Sequence, residues 1–294
     1  MLVLFLMPLG LATLFYAFAL VRAALARRAS PTLESVILGA CTNFFDTLGI
    51  GSFAPTTAWF RFRRLVPDRL IPCTLIVGHT LPTMVQGVIF LAVLDVDPLL
   101  FVGSVIAFLM GGLLGVPLVT RARVSVVQVV VGCGLILAAI FYALANLHLM
   151  PGGGSAASLP APLLIVAIVA SFVIGVLLNF GIGNYAPTLA LLSLMGMDPR
   201  LCFPLMAASA GLTMAGASVR YIGIGEVNLR IVTGMALGGI PAVFAAAFIV
   251  KSMPIELLRW LVIAIVLYAA VVMLRAAFTG RSDEIKGPAP AATA

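Results

Sequence analysis

Gly49-Ile50-Gly51-Ser52-Phe53-Ala54-Pro55-Thr56 recurs as Gly181-Ile182-Gly183-Asn184-Tyr185-Ala186-Pro187-Thr188, with six of eight positions identical at an offset of 132 residues. The same offset lays Pro67 over Pro199 and Pro72 over Pro204, and with a short gap Gly115-Val116-Pro117 answers Gly239-Ile240-Pro241. Chance likeness between apolar sequences does not preserve such punctuation, so the chain is an internal duplication. The first repeat runs over 33–148 and the second over 162–275, with an N-terminal helix and basic loop at 1–32. A Gly/Pro/Ser-rich linker at 149–161 has the composition of a flexible connector, and the polar tail at 276–294 reads as disordered and cytoplasmic.

Around the two motifs the chain is strongly apolar. Hydrophobic residues make up 63% and charged residues 9%, with a mean hydropathy of +1.22, so too few polar side chains exist to cover a water-soluble globule. Seven plain stretches of spanning length are expected near 2–21, 70–94, 98–120, 124–147, 202–219, 231–250 and 255–274. Residues 33–60 and 162–194 are apolar too, but glycines, a proline and polar residues interrupt each one. The expected fold is an all-α polytopic membrane protein in which each repeat is a broken, re-entrant helical hairpin followed by three transmembrane helices. The first apolar run has neither the basic start nor the cleavage site of a secretory signal, and is read as a retained helix.

The net charge of +7 would suggest nucleic acid in a soluble protein, but these cations lie in short loops between apolar segments and so report topology, not a nucleic-acid partner. If both broken segments are re-entrant and the N-terminus is outside, fourteen of the 17 basic residues fall inside: Arg22, Arg27, Arg28, Arg61, Arg63, Arg64, Arg69, Arg121, Arg123, Arg220, Arg230, Arg275, Arg281 and Lys286. Only Arg200, Lys251 and Arg259 fall outside, whereas two fully crossing segments would split the same 17 into eight and nine. The positive-inside bias therefore favours re-entrant segments, an outside N-terminus and a cytoplasmic C-terminus. Three crossings then separate the two motifs, which approach the midplane from opposite faces as inverted repeats do.

A backbone break at membrane depth survives only where protein buries it or a water-filled cavity receives it. Glycine permits unusual dihedrals at the break, and proline suits the first turn of a new helix because no N–H is needed there, which assigns Pro55 and Pro187 as helix-break residues. The free N–H groups and positive end of each second half-helix would then point into a cavity with the side chains of Ser52, Thr56, Asn184 and Thr188, beside a backbone that Gly49, Gly51, Gly181 and Gly183 let approach closely, an anion-binding arrangement without a buried cation. The competing reading is that these glycines only allow close helix packing. Asn43, Thr47 and Asn179 flank the breaks and complete the substrate-binding set from the motif side, as amide or hydroxyl donors or as backbone caps.

Asp46 is the one carboxylate well inside an apolar segment, and Leu178 replaces it in the second copy. An intramembrane carboxylate is costly, so Asp46 is the candidate for proton coupling, against capping or solvation at a cavity mouth. His79 and Gln86 lie seven residues apart on one helical face, as substrate ligands or as interhelical glue. His148, beside the linker, reads as interfacial, and the Arg61–Arg64 cluster as an inside anchor that also draws anions. Cys41, Cys73, Cys133 and Cys202 sit in apolar segments without CxxC spacing, pointing to buried packing and not to a disulfide framework or a metal site. No cofactor is expected.

Phe44-Phe45-Asp46-Thr47-Leu48-Gly49-Ile50-Gly51 with Ala54-Pro55, echoed by Gly181-Ile182-Gly183 and Ala186-Pro187, resembles the TauE/SafE sulfite exporter family. The resemblance runs from about residue 33 to 275. It implies a bacterial inner-membrane, multi-pass transporter of sulfite, sulfoacetate or a related sulfonate, where the residues alone implied only an anion. Its partners would be a small anionic substrate and the lipid bilayer, with a homodimer as a candidate assembly. Two departures stand out: Ser52 occupies a position where the family often has a third glycine, and only the first motif keeps an acid.

A passive anion channel is the nearest rival, since the same cavity would conduct. An intramembrane aspartyl enzyme is a more distant one, because it needs two approaching carboxylates. Beyond Asp46 the remaining acids, Glu34, Asp68, Asp95, Asp97, Asp198, Glu226, Glu256, Asp283 and Glu284, lie at segment ends or in loops. No Ser/His/Asp set or metal-ligand cluster appears in the sequence, so the chain is read as no enzyme.

Overall fold

The computed structural model describes residues 2–67, 70–94, 96–115, 124–147, 154–178, 184–225 and 227–278. Among them the regular structure is helical: α1 (Leu2–Ala26), α2 (Leu33–Thr47), α3 (Phe53–Arg63), α4 (Ile71–Val93), α5 (Pro98–Leu114), α6 (Val124–Asn146), α7 (Ala161–Leu178), α8 (Tyr185–Leu194), α9 (Cys202–Ile224), α10 (Leu229–Ser252) and α11 (Ile255–Phe278). A short 3-10 turn, Pro199–Leu201, leads into α9. Among the described residues six helices are long and apolar enough to cross a bilayer, within α1, α4, α7, α9, α10 and α11. The helix boundaries repeat at nearly the offset of the motif, with Phe53 and Tyr185 opening α3 and α8, and Val124 and Ile255 opening α6 and α11.

Each interrupted segment folds back on itself. At the open end of the first, Arg63 Nε donates to Glu34 Oε1 at 2.8 Å and Trp59 Nε1 to the same oxygen at 3.2 Å, joining the start of α2 to the end of α3. The Arg63 guanidinium holds the Glu34 carboxyl below its ordinary range, by its hydrogen bond first and its charge second. At the open end of the second, Ala156 N–H donates to the Gly196 carbonyl and Asp198 N–H to the Ala156 carbonyl, both at 3.1 Å. That ladder ties the lead-in to α7 to the chain leaving α8.

The two open ends lie at opposite ends of α10. Arg230, in its first turn, donates to the Ser30 carbonyl beside the first hairpin. At its far end Arg200 donates to the Met253 carbonyl at 2.6 Å, and Arg259 reaches the Gly154 carbonyl beside the second hairpin. A helix of 24 residues spans roughly 36 Å at 1.5 Å per residue, a length comparable to the thickness of a bilayer core.

Packing exchanges partners between the repeats. α2 lies along α10, and its counterpart α7 lies along α5, the counterpart of α10, while α4 pairs with α9 and α6 with α11. Glycines make the first two contacts close. A Cβ at Gly39 would land on the Met235 backbone and one at Gly238 on the Val36 carbonyl; a Cβ at Gly175 or Gly111 would strike the Phe108 or Phe172 carbonyl. The missing side chains let the paired helix backbones approach closely. α1 packs on α4, α9 and α10, with Tyr16 donating to the Val77 carbonyl at 3.1 Å. Its other side is apolar and exposed at Leu11, Leu14, Phe15, Phe18 and Leu25, a lipid-facing pattern.

The cysteines correct one expectation. Cys73 and Cys202 are buried, but Cys41 and Cys133 are exposed. They stand on helix sides that no described helix covers, and a thiol is apolar enough to face lipid as readily as a core.

Candidate functional site

The first break begins with a Schellman cap. Gly49 takes φ +97°, its N–H donates to the Asp46 carbonyl at 2.8 Å, and the Ile50 N–H reaches the Phe45 carbonyl at 3.0 Å. Gly51 takes φ +92° two residues later and re-aims the chain. Both values lie where an L side chain is strained, so the Gly-Ile-Gly spelling here is a conformational requirement. α3 then starts at Phe53 with Pro55 in its first turn, and α8 starts at Tyr185 with Pro187 in the same place. Proline removes an N–H that the first turn would leave unbonded in any case.

Several polar side chains of the first repeat converge behind this turn. Asn43 Nδ2 donates to the Gly39 carbonyl at 2.7 Å, which turns Asn43 Oδ1 toward His79 Nδ1 at 2.9 Å. With that oxygen as acceptor, His79 donates through Nδ1, and its Nε2 lies 2.9 Å from the Thr56 hydroxyl. The same hydroxyl donates to the Ser52 carbonyl at 2.8 Å. His79 thus links α4 to both arms of the hairpin. Thr47 is buried and donates to the Asn43 carbonyl at 2.8 Å.

Asp46 is buried in the last turn of α2. Its carboxylate faces the hydroxyl and N–H of Ser52 across the break, and the hydroxyl of Tyr185 from the second repeat. Tyr185 in turn faces Gln86 of α4. The Gln86 amide nitrogen and oxygen and the Tyr185 hydroxyl are all buried without a direct hydrogen-bond partner. Buried groups of this kind normally find partners, so these three groups and the carboxylate stand together with hydrogen-bonding capacity to spare. Gly49 touches the second repeat as well: a Cβ there would lie 3.0 Å from Ile265 and 3.3 Å from Leu189.

In the second break, Asn184 is buried and its Nδ2 donates to the Met206 carbonyl at 2.9 Å, while Thr188 is buried one turn into α8. Asn179, Gly181 and Gly183, with Phe180 and Ile182 between them, lie outside the described residues, as does His148. At the offset of the repeat, Asn43 is answered by Gly175, Asp46 by Leu178 and His79 by Gly211. The polar trio of the first repeat therefore has no counterpart of the same residue types in the second. Tyr185 is the contributor the sequence reading passed over. The available signal was the hydroxyl it adds relative to Phe53, its match in the first motif.

Residues 163–294 match the family model for the sulfite exporter TauE/SafE. The match begins inside α7 and takes in Tyr185, while Asp46, Ser52 and Gln86 lie outside it. Comparison with curated proteins and with solved structures gave no match. That partial likeness to a membrane exporter family agrees with the long apolar helices, which are those of a multi-pass membrane protein. Among the described residues no group of His, Cys, Asp or Glu is arranged to hold a metal ion.

Proposed function

We propose that the chain is a secondary transporter that moves a small sulfur oxyanion, sulfite or a sulfonate such as sulfoacetate, through a midplane site between two inverted repeats. The observation that carries this reading is the meeting of Asp46, Ser52 and Gln86 from one repeat with Tyr185 from the other, at the breaks of two hairpins that open at opposite ends of α10. Re-entrant hairpins of opposite sense are what an inverted repeat requires, and the midplane is where such transporters hold their substrate. The sulfur oxyanion rests on the TauE/SafE match.

The charge distribution supports an N-terminus outside and a cytoplasmic C-terminus in a bacterial inner membrane. Arg27, Arg63, Arg230 and Arg275 gather at the end where α1 finishes, while Arg200, Lys251 and Arg259 lie at the other.

Asp46 gives the coupling its sign. When ionised, it presents its own negative charge to the Ser52 N–H and to the positive end of α3, where an oxyanion would bind. Protonation removes that competitor, so the proton and the anion bind with positive coupling. Anion affinity then rises as pH falls through the titration of Asp46. The experiment is flux of sulfite and sulfoacetate into liposomes carrying the purified protein, with and without a pH gradient. Gradient-driven accumulation by the natural chain and none by Asp46→Asn is expected; fast flux indifferent to any gradient would favour the passive channel.

A further inference from the structure

Where α1 ends and α4 and α10 begin, the surface folds into an open cavity of about 420 Å³ lined by Arg27, Arg28, Arg230, Asn228 and Leu70 among others. It is remote from the breaks, at the end of α10 beside the first hairpin mouth, and the break site makes no use of it. Among the described residues no acidic side chain lines it; Asp68, Arg69 and Glu226 adjoin it in sequence and lie outside them.

Two of its three guanidinium groups are held in place by the protein. Arg27 donates through one terminal nitrogen to the Ile222 carbonyl, and Arg230 through Nε to the Ser30 carbonyl, each at 3.2 Å. Either fork keeps further N–H donors free for an oxyanion, in the planar geometry that suits phosphate. Two helices also start at the cavity. α10 begins beside Asn228, and α4 begins at Leu70 with no side-chain cap on its first N–H groups. Fixed cations and positive helix ends thus face one space. The exposed apolar face of α1, through Leu14, Phe18 and Leu25, runs along the bilayer up to the same place.

A cationic cavity at the head of an apolar stripe has the shape of a lipid site, headgroup above and chains below. We propose that this cavity binds a phosphate group, presented by an anionic phospholipid whose chains lie along α1. Bound there, the headgroup links the end of the added front helix, through Arg27 and Arg28, to the second repeat, through Arg230. That gives α1 a function separate from the transport site.

The test is thermal unfolding of the full-length protein in a neutral detergent, with added phosphatidylglycerol, phosphatidylcholine or inorganic phosphate. The natural chain should gain several degrees in Tm from phosphatidylglycerol and little from phosphatidylcholine. Arg28→Gln/Arg230→Gln should lose most of that gain, while Lys251→Gln at the opposite end keeps it. Arg28→Gln alone, whose side chain is exposed, should lose part of the gain and serves if the double variant fails to fold. An equal gain from inorganic phosphate alone would overturn the lipid as source and leave a soluble phosphate site. Full retention of the phosphatidylglycerol gain in the Arg variants would overturn the site itself.

Discussion

Gly49 and Gly51 both hold left-handed backbone, yet their surroundings differ: a Cβ at Gly49 would press on Ile265 at 3.0 Å, while one at Gly51 meets open space. Gly51→Ala should cost about 1–2 kcal/mol of backbone strain, and Gly49→Ala more, because crowding adds to the same strain. Thermal unfolding of the two variants side by side reads the difference. The motif's glycines, prolines and buried carboxylate were legible in the sequence because each is a local signal of backbone or charge. The pairing of Asn43, His79 and Thr56 was not, since three helices must meet before one imidazole can satisfy two of them. The exposure of Cys41 and Cys133 escaped for a related reason: apolarity does not say whether a side chain meets protein or lipid. Glu34 carries a small pH effect of its own. Its pairing with Arg63 lowers its folded pKa, so the stabilisation is present at neutral pH and is lost as pH falls through that lowered value. Glu34→Gln should remove this acid-side dependence and leave the unfolding temperature at neutral pH nearly unchanged, because the pair is exposed.

At the scale of elements, hairpin closure and helix exchange depend on different residues. The basic residues at 61–64 belong with the other cations expected inside only if the first interrupted segment returns to its starting face. The exchange of α2 onto α10 and of α7 onto α5 left no periodic trace. It rests on glycines whose close neighbours are distant in sequence. Gly39→Ala should therefore destabilise the fold by about 1–3 kcal/mol through overpacking against Met235. Gly216→Ala in α9, with nothing within reach of its Cβ, should be neutral in the same assay.

For the whole molecule, the duplication is visible in both sequence and helix boundaries, but the proposed site draws on what the duplication failed to copy. Asp46, Asn43 and His79 have no polar counterparts in the second repeat, whereas Tyr185 supplies a hydroxyl that the first repeat lacks. A single shared site built from unlike halves should bind one anion using both. The most direct measurement is sulfite binding to the purified protein, read as a saturable rise in Tm with ligand. It compares the natural chain with Ser52→Ala in the first break and Thr188→Val in the second. If the breaks share one site, each variant should weaken sulfite by roughly five- to tenfold, the worth of about one hydrogen bond of 1–1.5 kcal/mol. Unaltered affinity in both variants, with the natural chain binding sulfite, would contradict a site between the repeats.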